Sequence, residues 1–326
     1  MAPGTISTGQ LCSALRLLGF DHVFDTNFAA DLTIWEETAE LLARLQKDGD
    51  RLPLFTSCCP GWINYLEIHR PELLAHVSTA KSPQQMLGAV AKHGPFARAL
   101  KTHGKPAPYV VSIMPCTAKK DEALRPDMAG DVDAVLTTRE LARMIRSRKL
   151  PFASLPADGA FDSPLGESSG AAQLFGASGG VMEAALRATA RLLELPEPQL
   201  KYKAVRGVGV ELGVKEAVVQ GVGRVAVVNG IANAIKLLSN DAWKERYIMV
   251  EVMACVGGCL GGGGEPKSLD PAILTKRASA IYSIDDASVM RNSLDNTEVQ
   301  ALYKTELGAP QSEQAKKLLH TSYRAR

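Results

Sequence analysis

Between Leu32 and Leu45 apolar side chains recur at helical spacing (Leu32, Trp35, Ala39, Leu42, Leu45) and the run stops at the polar Lys47-Asp48-Gly49-Asp50, which predicts an amphipathic helix. Leu52 to Thr56 is then a short apolar run leading directly into Cys58. Tyr109 to Met114 is a second such strand, continuous in its apolar character as buried parallel strands are, and delivers Cys116 at its carboxyl end, while Tyr247 to Met253 is a third that delivers Cys255. Asp133 to Thr137 and Arg224 to Asn229 read as further strands, each followed by a helix, Thr138 to Ser147 and Ile231 to Leu238. Gly179-Gly180 opens a helix from Val181 to Leu195, and Lys203 to Val222, rich in Val and Gly, predicts sheet with tight turns. Alternating strands and helices favour an α/β architecture with largely parallel sheets. Beyond Pro266 the chain turns charged and helix-forming, with helices expected at Glu298 to Leu307 and Gln311 to Tyr323, and a boundary falls near Lys267.

Composition excludes more than it selects. With 326 residues, 46% hydrophobic and 22% charged, the chain is too apolar for disorder and has the size to bury a sizeable core. A balance of 37 Lys+Arg against 35 Asp+Glu points to neither nucleic acid nor a membrane surface. No apolar run reaches the roughly 18 residues that span a bilayer, and MAPGTISTGQ resembles no secretory leader, so a soluble chain with no visible address is expected. Six cysteines are too few for a disulfide scaffold in so long a chain. Cys12 stands alone, whereas Cys58, Cys59, Cys116, Cys255 and Cys259 lie in apolar or glycine-rich surroundings, a pattern that reads as ligands in a reducing compartment.

In open α/β folds ligands collect outside the carboxyl ends of the strands, so three strands that each end at a cysteine are expected to bring their thiolates together. Soft sulfur ligands suit zinc or an iron–sulfur cluster. Structural zinc usually takes Cys-x2-Cys knuckles, which are missing here, and inert buried thiols are the plainer reading of any single cysteine. Adjacent Cys58 and Cys59 diverge in extended structure, so one ligates and the other does different work. Cys255-Val256-Gly257-Gly258-Cys259 is followed by Leu260 and four glycines, Gly261 to Gly264, bare backbone that can wrap a bulky inorganic centre. A phosphate loop is the alternative, but no Gly-Lys-Ser/Thr ending follows.

Three segments resemble the signature motifs of the FeFe hydrogenases, in order: Thr56-Ser57-Cys58-Cys59-Pro60-Gly61-Trp62, Met114-Pro115-Cys116-Thr117-Ala118-Lys119-Lys120-Asp121-Glu122 and Glu251-Val252-Met253-Ala254-Cys255-Val256-Gly257-Gly258-Cys259. The resemblance continues through Asp25 to Ile34, Lys81 to Met86 and Phe175 to Glu183 and covers nearly the whole chain. It implies two lobes of twisted, mainly parallel sheet flanked by helices with a metal cluster between them. Residues 1–266 would form the C-terminal domain of an iron hydrogenase large chain, the part that carries the H-cluster, and 267–326 a helical small-subunit-like segment. The cofactor implied is the H-cluster, a 4Fe–4S cube joined to a two-iron unit bearing carbon monoxide, cyanide and a bridging dithiolate. By motif, Cys59, Cys116, Cys255 and Cys259 would hold the cube and Cys58 would donate the proton. Lys119, Met114 and Met253 would line the two-iron pocket, with Ser82, Pro83, Gln84, Phe175 and Gly176 around them. Spacing alone puts Glu37, Glu40 and Arg44 on one helix face, for which a solvated face is the bland reading. The resemblance makes them a proton relay from Cys58 through Glu37, Ser78 and Glu40 to Arg44 at the surface.

The implied activity is reversible reduction of protons to hydrogen. Electrons would come directly from ferredoxin, since there are no ferredoxin-like cysteine motifs, as in the short green-algal members. Hydrogenase maturation proteins are implied as partners, a monomer as the state, and a reducing, anaerobic compartment as the location, the chloroplast stroma if algal and otherwise the cytoplasm. The basic tail, with Lys316, Lys317, Arg324 and Arg326, reads as a frayed solvated terminus ahead of the alternative, a docking surface for an acidic partner. Glu265 stands where the family has Gln, which adds a negative charge near an anionic cofactor. The chain begins at Met1-Ala2-Pro3-Gly4-Thr5, after an inner strand of the family pattern, so an opened lobe and weak activity are expected. The rivals are a non-catalytic iron–sulfur protein of the prelamin-recognition and cytosolic cluster-assembly family, which carries extra N-terminal cysteines, and a hydrogen-sensing relative, which varies the relay.

Overall fold

The computed structural model describes residues 5–47, 49–195, 205–206, 213–219, 221–268, 270 and 272–326. Its larger sheet has the order β1-β6-β5-β4, built from β1 (Leu54–Phe55), β4 (Gly213–Val219), β5 (Gly223–Asn229) and β6 (Met249–Met253). β1, β6 and β5 run parallel, and β4 returns antiparallel to β5. A second, two-stranded parallel sheet pairs β2 (Val111–Met114) with β3 (Ala134–Thr137). This is the expected α/β class, with the strands trimmed. Leu52 to Thr56 contributes only two ladder residues, and the part of Lys203 to Val222 outside β4 falls largely beyond the described residues. β2 pairs with β3 alone among the described strands.

Four helices frame the first half: α1 (Thr8–Leu17), α2 (Thr26–Lys47), α3 (Pro60–His69) and α4 (Pro83–His93). Amphipathic spacing underestimates α2, which begins six residues before Leu32 and is buried on opposite sides. Ala30, Ile34 and Leu41 join the core beneath the larger sheet, while Phe28, Ala29 and Leu32 join a second core with Met86 and Val90 of α4. A helix enclosed this way must satisfy any polar group it carries from within the protein, and α2 carries the buried carboxylates Asp31, Glu36, Glu37 and Glu40.

The helix Thr138–Ser147 has the expected bounds because Thr137 and Glu140 form a capping box at its start. In the tail, Thr297–Leu302 runs on through a π turn, Tyr303–Leu307. The last helix spans only Glu313–Leu319, because at His320 the chain turns extended and bridges Ala80. Beyond it the terminus is pinned rather than frayed: Arg326 pairs with Glu67 at 2.9 Å and Arg324 with Asp127 at 3.0 Å. Val299, Leu302, Leu307, Ala315 and Leu319 share the second core with α2 and α4. No helix among the described residues is long and apolar enough to cross a membrane.

Candidate metal centre

β1 and β6 are hydrogen-bonded neighbours, so Cys59, just beyond β1, and Cys255, just beyond β6, arrive side by side. Cys59 occupies the N-cap position of α3 with its thiol uncommitted to the cap, and the Ala254 N–H donates to its Sγ at 3.4 Å. Cys116 comes from the end of β2, hence from the other sheet. The cysteines thus converge across the gap between two sheets rather than along one sheet edge. Gly257 and Gly258, at φ +78° and +72°, turn the chain back toward Cys259, and Gly258 bridges Ala177.

Cys58, Cys59, Cys116, Cys255 and Cys259 all line one cavity of about 240 Å³, which Met114, Met253, Pro83, Gln84, Lys119, Phe175 and Gly176 also border. Ser82 does not reach it, and its hydroxyl donates instead to Glu122 behind the wall at 2.9 Å. Among the described residues no three His, Cys, Asp or Glu side chains stand where they could hold one metal ion.

Gly258 and Gly262 border this cavity, and the glycine run also packs two loops together. A Cβ on Gly262 would lie 2.2 Å from the Pro115 carbonyl oxygen and one on Gly264 2.8 Å from the Cys116 nitrogen, so these glycines let the Cys259 loop lie flat on the Cys116 loop. Burial pushes the Cys58, Cys59, Cys255 and Cys259 thiols above the ordinary thiol range. Thiolates at these positions therefore call for a strongly cationic partner, which iron supplies.

Burial alone would depress the Lys119 ammonium, but Glu122 at 2.8 Å overrides it and holds the group above its ordinary value. Lys119 also donates to the Cys58 carbonyl at 3.0 Å, which fixes a cation beside the cavity. Glu265 lies outside this cavity, accepts from the Thr138 hydroxyl at 2.6 Å and stands 3.7 Å from Arg277, so its charge is compensated.

Behind Cys58 the α2 carboxylates are buried, which rules out the solvated-face reading. Glu37 is fully enclosed; its Oε1 accepts from the Ser57 N–H and hydroxyl, both at 3.3 Å, and its Oε2 is buried without a partner. Burial pushes its pKa up to about 7, opposed by the Ser57 hydrogen bonds and aided by the nearby Glu40 charge, and the Glu37 charge in turn raises Cys58. The Ser78 hydroxyl donates to Glu40 at 3.0 Å, and Arg44 donates to Glu40 at 2.6 Å. The structure thus joins Ser78, Glu40 and Arg44 in one hydrogen-bonded run, with Glu37 held on Ser57, next to Cys58 in the chain. Arg44 is not at the surface as expected. It is only 5% exposed, because its remaining N–H groups are drawn onto the carbonyls of Arg51, Ala75, His76 and Val77.

Two site carboxylates escape sequence reasoning. Glu122 holds Lys119. Glu251, in the otherwise apolar β6, accepts from Gly179 and Met182 N–H groups at 2.6 and 2.7 Å and so ties β6 to the start of the helix Gly180–Leu192. A lone Glu inside an apolar strand is the signal that could have marked it.

The family described as "Iron only hydrogenase large subunit, C-terminal domain" matches residues 1–263, and "Iron hydrogenase small subunit" matches residues 271–326. The chain is 48% identical over 99% of its length to HndD, the NADP-reducing hydrogenase subunit of Solidesulfovibrio fructosivorans, of which it covers 57%. It is 34% identical over 97% of its length to the cytosolic Fe-S cluster assembly factor narfl of Danio rerio, covering 80% of that protein. Among solved structures, a variant of apo FeFe-hydrogenase HydA1 from Chlamydomonas reinhardtii aligns with a TM-score of 0.82 at 41% identity, covering 100% of this chain and 89% of that one. The chain spans less than two thirds of the length of the curated hydrogenases it matches, 57% and 58% for two of them.

Proposed function

This chain belongs to the iron-only hydrogenase family, and on that premise we propose that it catalyses the reversible joining of two protons and two electrons into hydrogen. The family implies the H-cluster, and the residues present fit it: four half-buried thiols around one cavity, a buried fifth thiol beside them, and a fixed cation on the cavity wall. The bound cluster supplies electron storage and the metal site at which the H–H bond forms or breaks.

The chain's own groups do the rest. Cys59, Cys116, Cys255 and Cys259 would hold the cube. Lys119, anchored by Glu122, presents its ammonium to an anionic ligand. Met114, Met253 and Phe175 exclude water. Cys58 holds the proton at Sγ. Glu37, which titrates near neutrality, takes it up or gives it back, and Ser78 and Glu40 carry it onward. The observation that carries this reading is the buried fifth thiol backed by a buried carboxylate, because a cluster carrier needs the four ligands alone. That separates it from the assembly-factor reading, which the 34% relative keeps in view.

We propose ferredoxin as the electron donor, a monomer, a reducing and anaerobic compartment, residues 1–266 and 267–326 as the two units, and dependence on hydrogenase maturation proteins. The test is hydrogen evolution by the matured protein with reduced ferredoxin, with NADPH and with a reduced viologen. Evolution with ferredoxin supports the full reading. Evolution with NADPH or viologen alone overturns the donor, and none with any of the three overturns the activity.

A further inference from the structure

An inner relay that ends at Glu40 still lacks a way out. Arg44 does not serve, since a guanidinium has no acceptor for an incoming proton and its N–H groups are fixed on four carbonyls and Glu40. Glu40 has a second neighbour that can. The Thr79 N–H donates to Glu40 Oε2 at 3.1 Å and its hydroxyl stands 3.4 Å from the same oxygen. On its other side the Thr79 hydroxyl lies 2.8 Å from Nδ1 of His320, which the tail delivers to this point by pairing with Ala80. Thr79 is exposed to solvent, while the imidazole is only 6% exposed.

The far nitrogen of that ring is committed. His320 Nε2 lies 2.9 Å from Glu36 Oε2, and Glu36 also accepts from the Gln311 N–H at 2.8 Å, from the Gln311 amide at 3.1 Å and from the Tyr303 hydroxyl. A carboxylate surrounded by donors keeps the hydrogen on Nε2, so neutral His320 offers its lone pair at Nδ1 to Thr79. Carboxylate, imidazole and hydroxyl stand in the order of a hydrolase triad, but the hydroxyl abuts a second carboxylate instead of a substrate cleft. The charged or titratable groups around the ring are Glu36 and Tyr303 on the Nε2 side, Glu40 and then Arg44 beyond Thr79, and the exposed Lys316 and Lys317 of its own helix.

Resting on the hydrogenase reading, we propose that Thr79 and His320 form the outer end of the proton route, with Glu36 as the positioning residue that sets the imidazole tautomer. Inward, imidazolium Nδ1–H passes its proton to the Thr79 oxygen as the Thr79 hydrogen passes to Glu40 Oε2. One proton leaves His320, one arrives on Glu40, and rotation of the hydroxyl restores the start. Outward transfer is the reverse.

The test compares Thr79→Val, Thr79→Ser and His320→Gln with the parent chain, all matured, as hydrogen evolution per cluster across pH 6–9. Thr79→Val is expected to lower the rate about tenfold or more, within the range of lost acid–base groups, with Thr79→Ser recovering most of it. His320→Gln is expected to lower the rate about tenfold or more as well. Independently of turnover, 15N NMR of the cluster-free parent is expected to show neutral His320 carrying its hydrogen on Nε2. A parent that evolves hydrogen while Thr79→Val stays within about twofold of it overturns this exit but leaves the hydrogenase reading standing, and so does a hydrogen found on Nδ1 or a rate unchanged in His320→Gln. A parent that evolves none overturns both.

Discussion

Cys58 and Cys59 share a cavity and differ in their backing. The Cys59 sulfur takes the Ala254 N–H beside β6, whereas Cys58 has Glu37 behind it and Lys119 on its carbonyl. On the proposed division Cys59→Ala prevents cube assembly, while Cys58→Ala keeps the iron and loses nearly all turnover. Iron content and hydrogen evolution of each purified variant check this, and equal iron loss in both contradicts it. Glu37 adds a pH dependence. Burial raises its pKa from 4.5 to about 7 in the folded chain, so the folded state keeps a proton that the unfolded chain gives up. Its contribution is fully present below the unfolded value and is lost as pH rises through about 7. Glu37→Gln, which titrates in neither state, is therefore expected to gain stability relative to the parent between pH 5 and pH 8. Denaturant unfolding of both cluster-free chains at the two pH values measures it, and a constant difference contradicts the burial argument.

At the scale of elements, what could be read from the sequence and what could not have separate physical causes. The strand ends that deliver Cys116 and Cys255 and the capped helix Thr138–Ser147 are local matters of apolar runs and caps, and they stand where the pattern puts them. The convergence of the cysteines across two sheets, the double burial of α2 and the clasp between Glu251 and Gly179 depend on contacts between residues far apart in the chain, which no local pattern carries. The burial of Arg44 is illegible for the same reason, since the carbonyls that enclose it belong to residues 51 and 75–77. The glycine loop shows how such contacts constrain an element. Gly258 has φ +72°, and a Cβ there would lie 2.7 Å from the Ser178 nitrogen. Gly258→Ala is expected to destabilise the cluster-free chain by about 1–3 kcal/mol or more and to weaken iron retention, because that turn carries Cys259. Chemical denaturation and iron analysis test it, and unchanged values of both would show that the loop relaxes freely.

Across the whole molecule the tail belongs to the catalytic body's core. Leu319 is fully buried among α2 and α4 residues, and His320 and Tyr303 both reach Glu36 of α2. Leu319→Ala should therefore cost about 2–5 kcal/mol in one cooperative unfolding transition, as a core truncation does. A separate early transition of the tail alone would contradict a shared core. The central claim, that these lobes enclose an H-cluster and not a plain iron–sulfur cube, is tested most directly by infrared spectroscopy of the matured protein, where metal-bound carbon monoxide and cyanide absorb clear of protein bands. The account predicts both sets of bands, reduced or shifted when Lys119 is replaced by Ala. A protein that holds its cube after competent maturation and shows neither set would contradict it and favour the non-catalytic iron–sulfur reading.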